Sequence, residues 1–170
     1  MANIEQGTLN DEVSVLLRWH KHGISMNWKL IFTLSSFGVF VGIASLFGTT
    51  RNVEPILWFG IFVFYAVWVV RYAPGKYFLH GFLVSFLNGI WISLIHSLFF
   101  TQYIQNNPEM MSDYNGLPPI ASPRVMMLII GPVIGAATGV IAGLFAVIAG
   151  KWFGERIRKE RVVPGDQEKQ

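Results

Sequence analysis

Residues 131–150 read GPVIGAATGVIAGLFAVIAG, and none of them is charged. Gly131, Gly135, Gly139 and Gly143 recur at every fourth position, with Ala142, Ala146 and Gly150 on the adjoining stripe. A helix turns about 100° per residue, so a four-residue step drifts by only about 40° and the glycines form one nearly bare groove. Each glycine costs roughly 1 kcal/mol in the interior of a soluble helix. Repeated in register, that cost points to the close approach of a second helix, the use small residues have inside a bilayer. The stretch therefore predicts a membrane-crossing helix with a packing face, a glycine zipper. It predicts no chemistry. With a period of four and no strand before it, it does not fit a dinucleotide-binding loop.

Working outward, the chain is 52% hydrophobic and 14% charged, with a mean hydropathy of +0.46. Soluble domains carry about 25% charged residues. The deficit is concentrated in four apolar segments at 30–48, 55–72, 78–100 and 125–150. The expected fold is all-α: an integral membrane four-helix bundle in one domain spanning 1–170, with an N-terminal amphipathic interfacial helix. There are no cysteines, hence no disulfide framework and no thiol chemistry. The first 29 residues show no apolar core leading to a cleavage site, so no removable signal peptide is expected.

Each segment has its own character. Segment 1 is anchored by Trp28 and Lys29, and Gly38 and Gly42 form a small-residue pair that makes it, beside segment 3, a candidate to dock into the glycine groove. Segment 2 carries Trp58, Phe59, Phe62, Phe64, Tyr65, Trp68 and Tyr72, a bulk on all sides that predicts a lipid-facing helix. Segment 3 has two stripes. Gly81, Ser85, Gly89, Ser93 and Ser97 are spaced by four, and beside them run His80, Val84, Asn88, Ile92 and His96. Segment 4 has Ser122 and Pro123 as cap and first-turn residue. Pro132 either kinks this helix or separates it from an approach segment, because the Leu128 carbonyl loses its donor there.

The flanks are polar. Residues 10–22 place Val13, Leu16, Leu17 and His20 on one helical face, for a helix that lies on the membrane or docks on the end of the bundle. Residues 101–124 read as a loop that folds back on the bundle mouth. The last helix is expected to run to about Arg161, with a disordered tail at 162–170. Arg18, Lys21, Lys29, Arg71, Lys76, Lys151, Arg156, Arg158, Lys159, Arg161 and Lys169 fall on the terminal side, and only Arg51 and Arg124 on the other. That asymmetry predicts cytoplasmic termini and attraction of anionic lipid to the basic flanks. It does not point to nucleic acid.

All ten Asp and Glu residues lie outside the apolar cores, which argues against proton- or cation-coupled transport through buried carboxylates. The intramembrane polar candidates are His80, Asn88 and His96. The two histidines are about 24 Å apart along a helix and cannot share a metal within one chain. His20 and His22 lack the i, i+4 spacing of helical metal ligands. No H-E-x-x-H, P-loop or G-x-S-x-G motif is present. The reading assigns no catalytic residue, metal or cofactor, and expects no enzyme.

His80-Gly81-Phe82 opening segment 3, Tyr103 through Asn107-Pro108-Glu109 leaving it, and Gly131-Pro132-Val133 starting a helix with a basic end resemble an uncharacterised family of small four-helix membrane proteins, mainly from Bacteroidota. No function has been assigned to that family. The resemblance covers Lys29 to Arg158 and implies a bacterial inner-membrane location and no known catalytic residues. The glycine period of segment 4 and the aromatic load of segment 2 exceed the family pattern. The leading expectation is a non-enzymatic membrane protein packed through Gly131, Gly135, Gly139 and Gly143 on segment 4, Gly81, Ser85, Gly89 and Ser93 on segment 3, and Gly38 and Gly42 on segment 1. Its partners would be the lipid bilayer and either a second copy or another membrane protein. A small-solute transporter or channel with a polar path along segments 3 and 4 is the runner-up. A membrane enzyme acting through His20, His22 or His80 is third.

Overall fold

A computed structural model of the chain describes residues 25–48, 54–114 and 122–162. The amphipathic helix expected at 10–22 lies outside them, as does the tail expected at 162–170 apart from Val162. The described residues are helical throughout their regular parts, with no strand among them. The elements are α1 (Trp28–Ser35), α2 (Phe37–Ser45), α3 (Glu54–Tyr72), α4 (Tyr77–Leu98), α5 (Phe100–Asn106), a 3₁₀ helix (Pro108–Tyr114) and α6 (Pro123–Val162). Four spans are long and apolar enough to cross a membrane: Trp28–Ser45, Pro55–Tyr72, Tyr77–Leu98 and Pro123–Gly154. The chain reads as a multi-pass membrane protein.

Segment 1 is two helices rather than one. Ser35 Oγ donates to the Phe32 carbonyl at 3.1 Å, and Ser36 Oγ donates to the Thr33 carbonyl at 2.7 Å. The helix is interrupted at Ser36, beside this back-bonding by adjacent serines, and the Val39 amide bonds the Ser36 carbonyl three residues back at 3.0 Å. Segment 4, by contrast, is one helix of 40 residues that continues through Pro132 and reaches Val162. Its start follows the cap reading: the Val125 amide donates to Ser122 Oγ at 3.4 Å, and Pro123 is the first helical residue. The stretch read as loop at 101–124 holds α5 and the 3₁₀ helix. The break before α5 is at Phe99, whose φ of −103° and ψ of 35° leave helical geometry.

α4 is the hub. It packs along α6 on one side and against α1, α2 and α3 on the others, and α3 also meets α6. Leu30, Ile31, Leu34, Tyr65, Val69, Ala73, Val84 and Ala146 form a buried cluster in the half of the molecule nearest Trp28. Segment 2 is therefore not lipid-facing on all sides. Phe62, Tyr65, Ala66, Val69 and Val70 are buried, while Ile56, Val63 and Val67 on the other side are exposed. Aromatic bulk alone does not distinguish lipid from protein as a neighbour, because both are apolar.

Candidate functional site

The two stripes of α4 go to different partners. Gly81, Ser85, Gly89 and Ser93 face α6. A Cβ on Gly89 would fall 2.5 Å from the Gly131 carbonyl oxygen and 2.7 Å from Gly135 Cα. A Cβ on Gly81 would meet the Ala142 carbonyl oxygen at 2.7 Å. From the other side, a Cβ on Gly135 would meet the Phe86 carbonyl oxygen at 2.9 Å, and one on Gly131 would overlap Ser93. Gly139 and Gly143 lie under the rings of Phe82 and Phe78. Phe78, Phe82 and Phe86 form an i, i+4 row with stacked rings along the groove. The spacing of that row is present in the sequence, but aromatic residues at i, i+4 do not by themselves tell a lipid-facing row from one laid along a glycine groove. Hydroxyl and aromatic groups thus seat α6 against α4 with backbone nearly touching backbone.

The neighbouring stripe faces α1, α2 and α3. Asn88 is only 2% exposed. Its Oδ1 accepts from the Gly38 amide at 2.9 Å, and its Nδ2 donates to the Tyr65 hydroxyl at 2.5 Å. Gly38 and Gly42 do not enter the groove of segment 4. They pack on α4, where a Cβ on Gly38 would lie 2.9 Å from Asn88 Cα and one on Gly42 would lie 3.3 Å from Ile92 Cα. Of the two candidates for the segment 4 groove, segment 3 fills it, as α4, and segment 1 packs on the other side of α4. In the sequence Tyr65 is one of seven aromatic residues of its segment. Its position mid-segment was the available signal, since a buried tyrosine hydroxyl needs a partner.

His80 and His96 close the two ends of α4, one on each side of Asn88, and the structure does not bring the three together. His80 is fully buried. Its Nε2 accepts from the Asn27 amide at 3.0 Å, and its Nδ1 meets the Lys76 carbonyl at 3.1 Å. A carbonyl only accepts, so the hydrogen sits on Nδ1. Asn27 also caps α1 by accepting from the Leu30 amide at 3.1 Å and donates to the Tyr72 carbonyl at 3.3 Å. This ties the start of span 1, the end of span 2 and the start of span 3. At the other end His96 bonds Ser45 Oγ at 2.6 Å and stacks on Tyr103 with ring centroids 4.0 Å apart. Asn106 Nδ2 donates to the Leu46 carbonyl at 2.7 Å, and Asn107 Nδ2 donates to the Ser45 carbonyl at 3.0 Å. α5 is thereby folded back onto the end of span 1. Gly48, with φ 67°, makes room for it, since a Cβ there would lie 2.8 Å from the Asn106 carbonyl oxygen.

Between α3, α4 and the first half of α6 lies a cavity of about 540 Å³. α3 and α6 meet where Phe59 and Phe62 pack on Phe145. Towards the Asn107 end they separate, leaving a wedge. Trp58 and Phe62 form one wall, Gly131, Ile134 and Thr138 another, and Tyr103 and Met110 cover one end. Ser85, Ser93 and His96 supply polar groups from α4. Ile130 and Ile134 on the rim are exposed, so the wedge opens sideways. A smaller cavity of about 180 Å³ adjoins it and adds Ser45, Asn107 and Glu109. Every buried side-chain polar atom among the described residues has a hydrogen-bond partner. No three His, Asp or Glu side chains among them converge as a metal site. No protein-family model, curated protein or solved structure matches the chain.

Proposed function

We propose that this chain is a non-enzymatic four-helix bundle of a bacterial inner membrane, built around α4, whose working part is the wedge cavity. In this reading a small apolar molecule enters from the bilayer between α3 and α6 and binds there. The observation that carries it is the cavity itself: about 540 Å³, walled by three spans, apolar in most of its lining and opening sideways past Ile130 and Ile134. Ligand pockets of ~300–1,000 Å³ with apolar walls and a few polar groups are typical of small-molecule sites. Cytoplasmic termini and anionic lipid at the basic flanks complete the proposal.

The transporter reading is the weaker one. A polar path along the third and fourth spans needs Asn88 on a wet surface, whereas it is buried against Gly38 and Tyr65. The glycine faces of α4 and α6 contact each other, so they no longer argue for a second copy. The test is photolabelling in nanodiscs with an iodinated phenyl diazirine, an apolar probe without a hydrogen-bonding head. Adducts are expected on Met110 and Met127, and are expected to vanish in Ile130→Trp, which fills the rim. Adducts confined to outward residues such as Phe40 and Val133 would sink the reading.

A further inference from the structure

The polar lining of the wedge has a direction. Ser93 Oγ donates its only hydrogen to the Ile90 carbonyl at 3.0 Å. Thr138 Oγ1 donates to the Ile134 carbonyl at 2.9 Å, so the 3.0 Å bond between Ser85 and Thr138 takes its hydrogen from Ser85. Ser45 Oγ donates to the Gly42 carbonyl at 2.9 Å, so its bond to His96 Nε2 takes its hydrogen from the ring. In the neutral imidazole this leaves Nδ1 as a lone-pair acceptor. Each of these hydrogens is engaged within the chain, and the remaining capacity of Ser93, Thr138 and His96 is for accepting. No lysine or arginine lines either cavity.

We infer that the wedge takes a lipid alcohol: an apolar body bearing a hydroxyl, with the hydroxyl donating to the acceptors at His96 and Ser93. This rests on the cavity being a binding site, as proposed above. A carboxylate or phosphate head would bring acceptors against acceptors with no cation to meet it, and an anion without a partner in an apolar site is costly. A hydroxyl supplies a hydrogen to the acceptors at His96 and Ser93 and carries no charge. The apolar body would lie against Trp58, Phe62 and Ile134, where the walls are rings and aliphatic chains.

The experiment uses four aliphatic diazirine probes of one chain length in nanodiscs of the full chain: the primary alcohol, its methyl ether, the carboxylic acid and the amine. Adducts on Met110 and Met127 are quantified by mass spectrometry. The alcohol is expected to label them roughly two- to tenfold more than the ether or the acid, the span of one net hydrogen bond. His96→Phe keeps a ring beside Tyr103 and is expected to reduce the alcohol to the ether's level. Ser93→Ala serves as a second, smaller change and is expected to lower the alcohol alone. Equal labelling by alcohol and ether overturns the inference while leaving the cavity a binding site. Preferential labelling by the acid or the amine also overturns it. No labelling of either methionine by any probe defeats both readings.

Discussion

At the scale of single residues, Asn88 does the most. It holds the amide of Gly38 on α2 and the hydroxyl of Tyr65 on α3 from the middle of α4. The sequence marked Asn88 as the polar residue near the centre of its span, because an amide among apolar residues is conspicuous. It did not mark the partners. The Gly38 amide lies in the first turn of α2, after the interruption at Ser36, where amides lack intrahelical acceptors, and Tyr65 is one of seven aromatic residues in its segment. Asn88→Ala leaves both groups without their acceptor or donor in a site closed to water. The expected loss is about 1–3 kcal/mol, the cost of a buried polar group left unpaired. Tyr65→Phe removes only the hydroxyl and is expected to cost about 1 kcal/mol or less, as membrane hydrogen bonds commonly do. Unfolding of both variants in the same detergent checks the order. If Tyr65→Phe proves the more damaging, the amide is not the organising group.

At the scale of elements, the α4–α6 interface depends on absent side chains. The four-residue glycine period was legible because it needs only one helix to be seen. Which helix would fill the groove was not, since segments 1 and 3 both carried small residues at the same spacing. On α4 the two adjacent stripes then divided their partners, one to α6 and one to α1, α2 and α3. Phe62, first read as lying toward lipid, is 8% exposed and packs on Phe145, so it cannot serve as a lipid-facing control. Gly60 can: a Cβ there meets nothing within 4 Å. Gly135→Leu is expected to destabilise by roughly 1–3 kcal/mol or more through overpacking. Gly139→Leu should behave alike, because its Cβ would fall 2.9 Å from the Phe82 carbonyl oxygen. Gly60→Ala is expected to be neutral or to stabilise by up to about 1 kcal/mol, the difference in helix propensity. Thermal unfolding of the three in one detergent decides it, and equal effects at Gly135 and Gly60 would remove the close interface from the account.

At the scale of the whole molecule, the half nearest Trp28 holds the buried apolar cluster and the half nearest Asn107 holds the wedge. The number of spans was readable from hydropathy, which depends on composition alone. The hollow half was not, because it arises where α3 and α6 diverge and where α5 folds back, and neither is encoded in any one segment. Orientation is a further property of the whole chain. α6 has 40 residues, about 60 Å of helix, against a hydrocarbon core of about 30 Å. Since the candidate span ends at Gly154, the part of the helix beyond it, 155–162, about 12 Å long, leaves the membrane with Arg156, Arg158, Lys159 and Arg161. Read as four crossings, the sequence groups those four basic residues with seven others on the terminal side, against Arg51 and Arg124 on the other. Translocating that end would carry a basic cluster against the bias that retains lysine and arginine in the cytoplasm. A reporter fused after Gln170 is therefore expected to be active only in the cytoplasm, and one inserted at Asn115 only on the far side. Activity at both positions on one side would mean an even number of crossings between them, which the single span Pro123–Gly154 does not allow. Periplasmic activity at Gln170 would invert the orientation, and would place the mouth beside Tyr103 and Met110 in the cytoplasm.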